Sequence, residues 1–246
     1  MDRSELSHLA HAGHPIAAPL EDAAVEDLLR RALAARSRVL DLGCGDGSWL
    51  LRALLLQPEV TATGVDLSGH GFAATTARAR AAGVADRLQL LQGDAREHRS
   101  TEPYDVVLCV GVAHAFGGLA GTLAAAGAQL APGGVVLVGD GFWERPPSRE
   151  LLELLSVAPD EYGDLAQVLQ QVRALGWHPV HGHVSSQEEW DHYEWCWTGA
   201  LTQWALDQPG SPDAAQALAV ADEHREQWLG GYRGTLGFVT LLLRRS

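Results

Sequence analysis

Three glycines fall within five residues in the stretch VLDLGCGDGSWLL, residues 39–51, between an apolar run and the start of a helical pattern. A bare turn from a buried strand into a helix offers backbone N–H groups at the positive end of a helix dipole, which suits an anion or a carboxylate. It constrains the fold strongly, because strand, glycine turn and helix together form the opening unit of a parallel α/β sheet. The dinucleotide fingerprint G-x-G-x-x-G, counted from Gly43 and Gly45, needs a third glycine at position 48. That residue is Ser48, and the third glycine is Gly47. The spacing therefore disfavours a nucleotide-dependent oxidoreductase.

The same alternation continues along the chain. Residues 21–35 read as a helix and 38–42 as a buried strand. The β-branched stretch VTATGVD (60–66) reads as a second strand, 73–82 as an alanine-rich helix closed by Gly83, and 87–91 as a third strand. YDVVLCV (104–110), a helix over 119–130, APGG as a turn and VVLVG (135–139) repeat the unit. Five apolar strands alternating with helices predict a parallel sheet covered on both faces. Beyond Asp140 the texture changes: a proline-containing joint, helical stretches to about residue 175, a sixth strand over 180–184, a tryptophan-rich helical segment over 187–232, and a last strand over 236–243.

Composition narrows the partner. With 31 acidic against 18 basic residues, the formal net charge is −13, and grip on a nucleic-acid backbone relies on clustered Lys and Arg. A small molecule is the expected partner. The start of the chain lacks a basic region followed by an apolar one, and no apolar run approaches the roughly 18 residues that span a bilayer. The sequence thus predicts a soluble, cytoplasmic protein without a membrane partner. Cys44, Cys109 and Cys196 are odd in number and form no CxxC, so they read as reduced thiols rather than a disulfide framework or a zinc site.

The pattern actually present, D-x-G-x-G-x-G with Asp41 at the strand end, resembles motif I of the class I S-adenosylmethionine-dependent methyltransferases. GVDLS, QGDA, CVGVAHAFGG and LAPGGVVLVGD resemble further elements of that family in the expected order, over residues 36–142. The resemblance implies that Asp41, Gly43, Cys44 and Gly45 line the cofactor, and that Asp66, with Leu67 beside it, holds both ribose hydroxyls. It implies that Asp94 lies near the adenine amine, that the Ala95 amide lies near a ring nitrogen, and that Val110 and Gly111 open the loop lining the methyl-transfer site. The implied fold is the Rossmann-like seven-stranded methyltransferase type: an α/β, mostly parallel sheet with a reversed last strand and a helical cap insertion.

The tryptophan-rich ending, the HAGHPIAAP segment and VAHA are similar to a bacterial group of uncharacterised small-molecule-type methyltransferases. The implied division is an N-terminal segment, 1–35, closing the cofactor site; a core, 36–186; an acceptor cap, 187–232; and a final core strand, 233–246. The implied activity is in-line transfer of a methyl group from S-adenosylmethionine to N, O, C or S of a small acceptor. Its rivals are a protein or RNA methyltransferase, which the acidic charge disfavours, and a non-catalytic S-adenosylmethionine-binding module.

Several residues carry two readings. Trp190, Tyr193, Trp197, Leu201 and Trp204 recur at helical spacing with Trp195 off the stripe. They either pack the cap onto the core or line an acceptor slot, for which Trp143 is a further candidate. His114 follows the fourth strand, where it either takes a proton from the acceptor or shapes the pocket. His14 either closes the cofactor site or serves as a linker. The triplets His8, His11, His14 and His178, His181, His183 have no carboxylate or cysteine partner at ligand spacing, so no metal is expected.

Overall fold

Strands that are apolar on both faces need a helical layer on each side, and the computed structural model, which describes residues 1–14, 16–34 and 37–245, supplies both. In chain order, among the described residues, come α1 (Arg3–Ala10), α2 (Asp22–Ala32), β1 (Arg38–Leu42), α3 (Ser48–Leu56), β2 (Thr61–Asp66), α4 (Phe72–Ala81), β3 (Leu88–Gln92), β4 (Tyr104–Val110) and α5 (Leu119–Gln129). There follow β5 (Leu130–Trp143), α6 (Arg149–Leu155), α7 (Leu165–Ala174), β6 (Trp177–Val184), α8 (Gln187–Asp207), α9 (Ala214–Gln227) and β7 (Leu236–Arg245). The strands form one seven-stranded sheet in the order β3-β2-β1-β4-β5-β7-β6. β7 runs antiparallel to both β5 and β6, and the other pairings are parallel.

On one face, Val25, Leu28 and Leu29 of α2 and Leu50 and Leu54 of α3 bury against Val39, Leu108 and Leu137. On the other, Leu123 and Ala126 of α5 and Val168 and Val172 of α7 cover Leu40, Val107 and Val136. The alternation within each strand sorts its side chains between these two cores.

Most boundaries fall within two residues of the sequence reading, and the larger departures are instructive. The first predicted helix, 21–35, begins with Glu21 as its N-cap and ends at Ala32; its expected end at residue 35 lies outside the described residues. The sixth strand begins at Trp177 rather than at 180. APGG does not separate a helix from a strand but lies inside β5. Between the pairs Tyr104↔Leu130 and Val106↔Val135 one residue intervenes on β4 and four on β5, so the Pro-Gly segment is taken up as a bulge, with Gly133 at φ 79°. Pairing on both sides outweighs the local turn signal.

The 187–232 segment is two helices, α8 and α9, followed by a π-helical turn at Trp228–Tyr232. α1 joins them: Leu6 and Ala10 bury with Leu201, Ala205, Ala214, Ala217 and Ala221. The deepest residues of α8 are not the aromatic stripe but Glu189, Glu194, Thr198, Leu201 and Ala205, with Trp190, Tyr193, Trp197 and Trp204 half-buried beside them. A fully buried carboxyl is tolerable only when it is hydrogen-bonded. Glu194, 2% exposed, accepts from the Tyr232 hydroxyl at 2.7 Å and lies 2.7 Å from His224 Nε2. Trp197 stacks on the His224 ring at 3.9 Å.

Replacing Tyr232 by Phe keeps the ring and removes one donor from a buried carboxyl, a loss of about 1.5–3 kcal/mol. Urea denaturation of Tyr232→Phe should show a lower midpoint with an unchanged slope.

Candidate functional site

Parallel strands leave their carboxyl ends at one edge of the sheet, and the turns after β1, β2 and β4 gather there. After Leu42 the chain passes through Gly43 (φ 81°), Gly45 (φ 55°) and Gly47 (φ 86°), left-handed conformations that favour glycine. A Cβ at Gly43 would lie 2.4 Å from Val112 Cγ2, which wedges the loop against the connection after β4. At Gly45 a Cβ would meet nothing within 4 Å, so this backbone borders open space. Asp46 accepts from the Ser48 N–H and hydroxyl, both at 2.8 Å, and so sets the first turn of α3.

The loop is fastened to β2. The Gly43 and Cys44 N–H groups donate to the Val65 carbonyl at 2.8 and 3.2 Å. Gly45 N–H donates to Asp66 Oδ2 at 2.9 Å, and Ser68 N–H to Asp66 Oδ1 at 2.9 Å. Each oxygen of that half-buried carboxylate retains a further acceptor site. Leu67 beside it is 68% exposed. The Cys44 thiol is held far above its usual pKa by burial and by the carboxyls of Asp41 and Asp66, which makes it inert rather than nucleophilic. Asp41 is buried behind the loop, and desolvation with Asp66 and Asp46 nearby pushes its carboxyl up to about 8.

Further along the edge, Asp94 follows β3, gripped by the Arg96 guanidinium through three hydrogen bonds that hold its carboxyl below the usual range; Ala95 lies beside it. Val110 ends β4, and Gly111 (φ 72°) donates its N–H to the Gly139 carbonyl. A Cβ there would come within 3.3 Å of the Ala17 carbonyl, so the N-terminal segment crosses over this turn. His114 sits exposed on the short turn Ala113–Phe116 that follows. Asp140, near the end of β5, is pushed up to about 6 by burial.

The N-terminal segment and α8 meet above this edge. His14, 8% exposed, holds the Ile16 carbonyl through Nδ1 at 2.8 Å and sets its ring edge-on to Tyr193 and His192; Pro15, which follows it, lies outside the described residues. His11 Nδ1 lies 2.7 Å from the Ser7 carbonyl, and Nε2 lies 3.0 Å from the Tyr193 hydroxyl. A carbonyl only accepts, so Nδ1 carries the hydrogen and Nε2 receives the Tyr193 proton. Burial lowers the His11 pKa and keeps the ring neutral in this role.

The fold thus collects Asp41, Gly43, Cys44, Gly45, Asp66, Leu67, Asp94, Ala95, Val110 and Gly111 along one edge, with His14 and Tyr193 above. Trp197 lies elsewhere, in the packing between α1, α8 and α9. Trp143 is buried with Leu151, Trp228 and Tyr232. Trp190 spans the two regions, edge-on to both Tyr193 and Tyr232. The indole N–H groups of Trp143, Trp190 and Trp228 and the Ser185 hydroxyl are buried without a hydrogen-bond partner, an arrangement costing about 1–3 kcal/mol for each group left unpaired. Sequence reasoning weighed His11 only within a histidine triplet and passed over Glu194 and Tyr232, which pair across 38 residues with no local signature.

Asp41 carries a signed consequence for stability. Its folded pKa lies above the unfolded value, so between about pH 4 and pH 8 the unfolded chain loses a proton that the folded chain keeps, and stability falls as pH rises. Asp41→Asn removes this penalty. Thermal melts at pH 5 and pH 8 should show the variant gaining on the native chain at the higher pH by at least about 2–4 °C, the shift expected for roughly 1 kcal/mol in a chain of this size.

Residues 40–136 match a family described as "Methyltransferase domain". The uncharacterised protein YjhP of Escherichia coli is 30% identical over 185 residues, covering 74% of each chain. A trans-aconitate 2-methyltransferase of Streptomyces avermitilis is 28% identical over 94% of this chain and 88% of its own. The crystal structure of an S-adenosylmethionine-dependent methyltransferase from Thiobacillus denitrificans in complex with S-adenosylhomocysteine superimposes with a TM-score of 0.91 at 29% identity over all of both chains. Motif, strand order and whole-chain likeness agree, and the chain belongs to the class I S-adenosylmethionine-dependent methyltransferases, with YjhP among its relatives.

Proposed function

We propose that this methyltransferase acts on a small-molecule acceptor admitted beneath α8, and that the cofactor lies along the carboxyl edge of β1 to β4. The observation that carries the cofactor reading is the Asp66 carboxylate, tied to the Gly45 N–H and flanked by backbone that a Cβ would leave open. These residues fit S-adenosylmethionine. Bare glycine backbone admits the close approach of its amino-acid part, and the remaining acceptor sites of Asp66 suit two ribose hydroxyls. Asp94 and Ala95 would face the adenine, Leu67 its apolar surface, and Val110 and Gly111 the reacting end. His14 and Tyr193 would form the roof. When bound, the cofactor supplies a methyl group already activated by a sulfonium.

What remains for the chain is positioning and the exclusion of water, which removes much of the barrier in such a displacement. His114, exposed beside the β4 turn, is the proposed base for an acceptor that arrives protonated. Three features support a small acceptor. The roof joins two distant parts of the chain over the site, the net charge of −13 opposes nucleic acid, and the Streptomyces relative is named for a small organic acid. In this reading segment 1–35 closes the cofactor site, 187–232 selects the acceptor, and 36–186 with 233–246 forms the core. Among the described residues no helix is long and apolar enough to cross a membrane, and we place the activity in the cytoplasm.

Asp66→Ala should weaken S-adenosylhomocysteine binding roughly tenfold to several hundredfold, the range for losing one or two charge-assisted hydrogen bonds. Calorimetry on the folded variant checks it, and unchanged affinity would remove Asp66 from the site. His114→Ala should lower kcat roughly 10²-fold or more with a near-native Tm. Partial recovery at high pH distinguishes a base from a residue that only positions.

A further inference from the structure

We propose that a cavity under the first turns of α8 is the subsite that anchors the acceptor, and that it takes the carboxylate of a small organic acid. This rests on the small-molecule reading above and goes beyond it by naming the acceptor's class. The cavity, about 220 Å³, is lined by Glu144, Arg145, Ser185, Gln187, Trp190 and Leu236. β5 and β6 end beside it, and β7, running the other way, begins there. It therefore opens at the same edge of the sheet as the glycine loop, displaced across β4 and β5. Ring contacts connect the two: Trp190 meets Tyr193 at 6.4 Å, and Tyr193 meets His14 at 5.4 Å.

The chemistry of the walls selects the ligand. The Trp190 indole N–H and the Ser185 hydroxyl are buried without a partner, as are the indole N–H groups of Trp143 and Trp228 in the adjoining aromatic cluster. Indole donates and cannot accept. In a chain with a large excess of acids, the exposed Arg145 guanidinium forms no ion pair among the described residues. One of the two Gln187 amide N–H groups goes to Asp191 at 2.9 Å, leaving the other, and Asp191 is itself neutralised by Arg233. Glu144, exposed at the rim, is the one carboxylate in the lining, and Arg145 follows it directly. A surplus of donors with one uncommitted guanidinium calls for a ligand rich in acceptors and negatively charged, and Leu236 with the Trp190 ring calls for an apolar body behind it.

The test is calorimetry on the full chain saturated with S-adenosylhomocysteine, titrating acetate, succinate, benzoate and phenylacetate, each against its neutral amide. At least one acid should bind about tenfold or more tightly than its amide. Arg145→Gln, at an exposed position that does not endanger folding, and Trp190→Phe, which keeps an aromatic ring, should each weaken that acid about fivefold or more, with S-adenosylhomocysteine affinity held within about threefold. Amides that bind as well as acids, acid binding indifferent to both substitutions, or no acid binding below about 10 mM would each overturn the subsite. Turnover of neutral amines or phenols in a parallel screen for S-adenosylhomocysteine release, with acids inert, would leave the small-molecule reading standing and sink the subsite alone. Failure of acids and neutral molecules alike in both assays would sink both.

Discussion

The hydrogen bond from Gly45 N–H to Asp66 couples the turn after β1 to the end of β2. The site depends on it because a loop containing three glycines in left-handed conformations has little intrinsic reason to hold one shape. Its order is imposed from outside by the Val65 carbonyl, the Asp66 carboxylate and the Val112 side chain, contributed by β2 and the turn after β4. The backbone needed for close approach to a ligand is thus rigid only in the assembled sheet. This also explains the burial of Asp41: its carboxyl sits behind the loop, where desolvation holds its proton, so a second full negative charge is kept out of the space beside Asp66.

Legibility followed burial. β1 and β4 are read from the sequence with the boundaries found, because short, mainly apolar runs between polar turns have few alternatives when both faces are covered. The glycine loop, Asp66 ending β2 and Asp94 after β3 are equally plain, since strand order alone brings strand ends together. What escaped reading depended on pairing at a distance. The APGG turn vanished into a bulge because β4 pairs on both sides of it. The depth of Glu194 in α8 is not legible because hydropathy counts a glutamate as solvent-facing, whereas Tyr232 and His224 satisfy it in the interior. Nor does any sequence period announce that α1 packs with α8 and α9 while α2, the next α-helix, packs with the sheet.

That split anchors the N-terminal segment in two separate packing regions. Ile16 and Leu20 are buried in the core beside the sheet, while Leu6 and Ala10 are buried among α1, α8 and α9. The stretch between them carries His11 and His14 across the site, and the Ala17 carbonyl passes over Gly111. Removing this roof means parting His11 from Tyr193 and lifting apolar side chains out of both clusters at once. Since burying one leucine-sized side chain contributes about 1.5–3 kcal/mol, the two anchors together hold the segment firmly in place. The His11–Tyr193 bond is where the N-terminal stretch meets α8, and its direction, with the tyrosine donating, leaves the Tyr193 oxygen with lone pairs free to accept a further hydrogen bond.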